Sequence, residues 1–137
     1  MNKEIEEIIV KTFFIKRLQE RVLFDLSSSK KRRDRIARLE SPFDCLRKEC
    51  IFELPKPNSD PEDIEKLLKK QGAGNLCYVM TSIISDMDGK EFPLTEALEH
   101  LIWCGMPFLI SCIPDKLAYF QGEQSYGPPR RFILKKQ

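Results

Sequence analysis

His100 and Cys104 stand four residues apart, Asp86 and Asp88 two apart, and six cations crowd into positions 30–38. These are the places where residue type and spacing could carry chemistry. A four-residue interval puts two side chains on one helix face, which suits metal ligation, and Cys45 with Cys50 could complete a tetrahedral set. The interval between Cys45 and Cys50 is longer than a zinc knuckle uses, however, and the chain holds no C-x-x-C pair. The simpler expectation is a surface imidazole and a buried thiol, with no metal and no cofactor. His100 is also the sole histidine, so any Cys–His nucleophile would have to use it. A pair lying along a packed helix face is not an exposed nucleophile at an element end. No catalytic residue is assigned.

The segment Asp86-Met87-Asp88-Gly89 invites comparison with a calcium loop. In that register Ile84 and Thr95 would fall where the first and last carboxylate ligands belong, so the comparison fails. Asp86 and Asp88, joined by Glu91 or Glu123, could still hold a magnesium ion, which defines a metal-dependent enzyme as a third reading of function. A turn explains the same residues more economically. Gly72-Ala73-Gly74 precedes a strand instead of opening a helix, so it does not cradle phosphate.

Lys30, Lys31, Arg32, Arg33, Arg35 and Arg38 could each neutralise a phosphate of RNA or DNA. Arg130, Arg131, Lys135 and Lys136 would extend such a surface if the fold brought them near, with Tyr119 and Tyr126 as stacking candidates. The competing account is a solvated helix face balanced by Asp34 and Glu40. The stretch 122–130, GEQSYGPPR, combines two glycines, a diproline, a tyrosine and an arginine. Proline pre-organises backbone and tyrosine offers a large amphipathic contact, so Tyr126, Arg130 and Arg131 are the candidate partner-binding residues.

The elements that must position these groups follow from periodicity. Apolar residues at 5, 8, 9, 13, 18, 22 and 26 place an amphipathic face on one long or two consecutive helices. Serines 27–29 offer caps for a charged helix over 30–40, which Ser41-Pro42 ends. Residues 47–54 alternate as a short strand and 55–59 form a loop. Asp60, Pro61, Glu62 and Asp63 together specify a helix start, with Ile64, Leu67 and Leu68 inward and Gly72 as its close. Residues 76–84 (LCYVMTSII) and 107–113 (PFLISCI) are apolar runs of strand length, separated by a helix over 93–104. Strands over 116–121 and 131–135 complete the chain.

The sum is one α+β domain over residues 1–137. N-terminal helices precede a β-α-β-β-β unit whose four- to five-stranded mixed or antiparallel sheet is covered on one face by helices. With 42% hydrophobic and 32% charged residues the chain is ordinary for a globular domain. Its net charge of +2 gives no general field for polyanions or membranes. No secretory signal, transit peptide or membrane span is expected, and five scattered cysteines suit a reducing cytoplasm. The expected function is a small intracellular, non-enzymatic protein-interaction module, an adaptor, inhibitor or immunity-type protein. Its partner would be another protein, or a second copy met through the N-terminal amphipathic segment. A nucleic-acid binder using the 30–38 helix is the second reading.

Overall fold

The computed structural model describes residues 1–39, 42–55, 59–84, 86–112, 116–123 and 128–136. The N-terminal amphipathic segment divides into α1 (Lys3–Phe13) and α2 (Lys16–Ser27). The Asn2 side chain accepts the Ile5 amide at 3.1 Å to start α1. The break comes at Phe14 and Ile15, which turn extended so that the Ile15 amide reaches the Cys45 carbonyl at 2.9 Å. Ile9, Val10, Phe13, Val22 and Leu26 are all buried within the chain's own core. The apolar face expected to meet a partner is thus mostly the face that packs internally; of its residues Ile8 is left exposed, as is Phe24 off that face.

The basic helix shrinks to α3 (Arg32–Ala37) and is followed by α4 (Pro42–Cys45). Proline at position 42 opens α4 where the sequence suggests a stop, because a first helical residue needs no N–H. After the short β1 (Ile51–Glu53), α5 (Pro61–Lys70) starts behind Pro61 as expected. Asp60 occupies the cap position, but its side chain makes no capping hydrogen bond. Ile64 and Leu68 are fully buried, each a stabilisation of roughly 2 kcal/mol. Gly72, at φ +112°, closes the helix.

The remaining elements are β2 (Leu76–Thr81), β3 (Lys90–Pro93), α6 (Leu94–Leu101), β4 (Phe108–Cys112), β5 (Leu117–Gln121) and β6 (Arg131–Lys135). They form one sheet of six strands in the order β1-β6-β5-β4-β2-β3, and every pair is antiparallel. Two expectations are corrected here: the sheet has six strands where four or five were expected, and the unit runs β-α-β-β-α-β-β-β. Of the two sheet types expected, mixed or antiparallel, it is the antiparallel one. The added strand is β3, an edge with exposed Lys90 and Glu91 whose Pro93 passes directly into α6.

Helices cover both faces, not one. Tyr78, Met80, Leu109, Phe120, Phe132 and Leu134 pack with residues of α1, α2 and α3. Cys77, Val79, Phe108, Ile110, Tyr119 and Ile133 pack with α5 and α6 on the opposite side. A strand buried on both faces needs apolar residues at odd and even positions alike, which is why β2 and β4 read as nearly continuous apolar runs, with Thr81 and Ser111 as their buried polar members. Among the described residues, no helix is long and apolar enough to cross a membrane.

Register places the interesting loops together. Thr81 pairs with Phe108, Phe108 with Gln121, and Gln121 with Arg131, while the next β6 residue, Phe132, pairs with Glu53. One end of the sheet therefore carries the β2–β3 connection, the α6–β4 turn and the ends of the β5–β6 loop.

Candidate functional site

At this sheet end a charged group, the Arg32 guanidinium, is buried. Its Nη1 and Nη2 hold the two Glu6 oxygens at 2.6 and 2.7 Å, and Nε and Nη2 hold Asp88 at 2.7 and 3.0 Å. Nη1 also donates to the Leu26 carbonyl at 3.2 Å. A guanidinium has five N–H donors, and here all of them are used. The Tyr78 hydroxyl donates to Glu6 and accepts the Asn2 amide at 3.1 Å. The Thr81 amide adds a bond to Asp88 at 3.1 Å. Burial alone would lower the Arg32 pKa, but the hydrogen bonds it donates to Asp88 and Glu6, with their negative charges, outweigh it and raise it above the ordinary arginine value. This is a lock joining α1, α3 and the β2–β3 connection.

The six cations of the basic segment therefore have different fates. Arg32 is spent inside the protein. Arg35 pairs with buried Asp25 at 2.6 Å, and Arg33 remains exposed while its Nε donates to the Ser82 carbonyl at 2.9 Å. Lys30, Lys31 and Arg38 face solvent, with the Lys31 ammonium 4.9 Å from the exposed Phe24 ring.

The carboxylates and thiols of the enzyme and metal readings are dispersed. Both Asp88 oxygens are bound to Arg32, whereas Asp86, Glu91 and Glu123 are exposed. Among the described residues, no three His, Cys, Asp or Glu side chains gather into a cluster able to hold a metal. His100 lies exposed with Nδ1 2.8 Å from the Glu96 carbonyl oxygen. Half-buried Cys104 packs on the α5–α6 face, but Cys45 and Cys50 are buried on the opposite face. Burial pushes the Cys45 thiol up to about 11 and those of Cys77 and Cys112 up to about 12. A nucleophilic cysteine needs the reverse shift.

The proposed recognition residues are drawn apart by strand geometry. Tyr126 lies outside the described residues. Arg130 is exposed, clasps both Glu53 oxygens at 2.9 and 2.7 Å, and stacks 5.5 Å from the Phe43 ring and 5.2 Å from the Phe132 ring. The hydrogen bonds it donates to Glu53 raise its pKa against the smaller opposing effect of burial. An exposed pair of this kind contributes at most about 1 kcal/mol. Arg131 points to the other face and is buried. Its Nε has no partner, and Nη1 makes one long bond to the Pro129 carbonyl at 3.4 Å.

Opposite Arg131, the Gln121 Oε1 accepts the Tyr119 hydroxyl and its Nε2 donates to the Ile102 carbonyl, both at 2.8 Å. Burial lifts the Tyr119 phenol above its ordinary range, against the nearby Arg131 charge. The Ile102 carbonyl leads directly into Trp103, which is 65% exposed. Its turn is further fixed by the Cys104 amide on the Leu101 carbonyl at 3.0 Å and by Gly105 at φ +76°, a conformation that favours glycine. The sequence reading missed Trp103. The available signal was its being the chain's single tryptophan, placed between the last inward residue of α6 and a glycine.

No protein-family model, curated protein or solved structure matches this chain.

Proposed function

We propose that the chain is a non-enzymatic protein-interaction module whose working surface is the sheet end carrying the α6–β4 turn and the base of the β5–β6 loop. The observation that supports this most is Trp103. A tryptophan side chain offers the largest apolar area of any residue, and leaving two-thirds of it in water is unfavourable in the isolated protein. The peptide that leads into it is held by Gln121 through the Ile102 carbonyl, so its backbone is already placed for binding. Tryptophan and arginine dominate the energetics of protein interfaces. An enzyme centred on residues 86–88 has less support, because Asp88 is committed to Arg32.

The test captures tagged wild-type and Trp103→Ala chains from the native host lysate at low salt, with melting curves for both. The expected result is one protein at stoichiometric amount, retained at high salt. Trp103→Ala should weaken it roughly tenfold or more at unchanged Tm. Equal capture by both chains would sink the reading. The second reading, nucleic acid on Lys30, Lys31, Arg33 and Arg38, is favoured by the exposed Phe24 ring beneath Lys31. It predicts co-purifying polyanion that salt removes.

A further inference from the structure

Arg32 and Arg131 are buried to nearly the same degree, 3% and 6% exposed, yet their surroundings differ completely. Removing a guanidinium from water is costly unless carboxylates and hydrogen bonds replace the solvent. Arg32 has two carboxylates and five bonds. Arg131 has a single long bond, an unpartnered Nε, and no ion pair with any described residue. Gln121 beside it makes no hydrogen bond to it; its amide is turned to the Tyr119 hydroxyl and the Ile102 carbonyl instead. Arg130 cannot share the role, since Glu53 holds it on the other face.

We propose that Arg131 is the receptor for one carboxylate, supplied by an acidic side chain of the protein that binds Trp103. This rests on the interaction-module reading above. The planar fork of a guanidinium matches two carboxylate oxygens. One unbalanced positive charge calls for one negative charge, and Lys135, the next cation along this face of β6, is four residues away with its ammonium on the Gln71 side chain. Gln121 links the two halves of the site mechanically, because it lies opposite Arg131 and donates to the Ile102 carbonyl that precedes Trp103. The chemistry is the same for a free small carboxylate, so the test separates the two sources.

The Arg131 Nε–H resonance of the ¹⁵N-labelled full chain is followed during titration with sodium acetate against sodium chloride at equal ionic strength. A second titration uses a peptide with blocked ends and one glutamate between two leucines. Acetate should shift the resonance saturably where chloride does not. Arg131→Met should abolish binding of the peptide while raising the Tm of the free chain, because an unpaired buried charge gives way to an apolar side chain of similar length. Trp103→Ala should weaken the peptide roughly tenfold and leave acetate unaffected. An unmoved resonance in acetate, or a lowered Tm in Arg131→Met, overturns the receptor. Loss of peptide and acetate alike, or of neither, in Trp103→Ala overturns the partner as the source. If acetate binds Arg131 while Trp103→Ala captures as wild type from lysate, the interaction reading fails and the receptor stands. If the lysate partner is lost but acetate leaves Arg131 unmoved, only the receptor fails.

Discussion

Replacing Arg32 by alanine should remove about 3–5 kcal/mol of folding free energy, a third or more of what a domain of ordinary stability has. The size comes from what is left behind. Glu6 is 4% exposed, and each of its oxygens is held by Arg32, so its removal strands a carboxylate out of reach of water. Asp88 loses two bonds and keeps the Thr81 amide. Arg32→Lys should recover less than half of the loss, because one ammonium cannot span both carboxylates and the Leu26 carbonyl. The measurement is the urea midpoint of the three chains at neutral pH. A loss below about 1 kcal/mol would mean that water reaches the network, as it does for exposed ion pairs.

Stability should also collapse in alkali, beginning near pH 9. Cys45, Cys77 and Cys112 titrate at about 11, 12 and 12 when folded, against an ordinary 9.0, because burial disfavours their thiolates. Burial raises Cys50 and Cys104 as well, and lifts Tyr78 and Tyr119 above the phenol value of 10.0. For Tyr78 the hydrogen bond to Glu6 adds to the same effect. The folded state holds these protons more tightly than the unfolded chain does. Their contribution is therefore complete below pH 9 and drains away as pH climbs through the folded values. Each group costs about 1.4 kcal/mol per pH unit within its window, so the three thiols alone should remove about 4 kcal/mol by pH 10. Urea melts under reducing conditions at half-unit steps from pH 8 to 11 measure the slope. A flat line to pH 10.5 refutes the account.

How much of this was legible depended on whether the decisive partner was near or far in sequence. The α5 helix was legible because Pro61, the acids behind it, the Ile64–Leu68 stripe and Gly72 all act locally. The coverage of both sheet faces was written in the nearly continuous apolar runs of β2 and β4, but alternation elsewhere suggested a half-exposed sheet. Strand β3 was hidden because KEFP has one apolar residue of any size and exists by pairing with Cys77 and Val79. A charge run looks the same whether its members are solvated or buried. What separates Arg32 from Lys31 is the arrival of Glu6 and Asp88 from other elements. Arg130 and Arg131 were grouped by adjacency, yet successive strand residues project to opposite faces, so one meets Glu53 and the other Gln121. The sheet end that gathers Trp103, Gln121 and Arg131 is a product of register alone.

The position of β6 has a consequence for the order in which the protein can be made. Ile51, Phe52 and Glu53 pair with Leu134, Ile133 and Phe132, so β1 leaves the ribosome long before its partner strand exists. The N-terminal helices wait too, since the surface that receives Ile9, Val10 and Phe13 is assembled from Tyr78, Leu109, Phe120 and Phe132. Contacts this distant in sequence fold slowly and leave apolar faces uncovered during synthesis. The nascent chain is thus most open to chaperone capture or self-association just before β6 emerges, and one short strand converts it from a hazard into a closed domain.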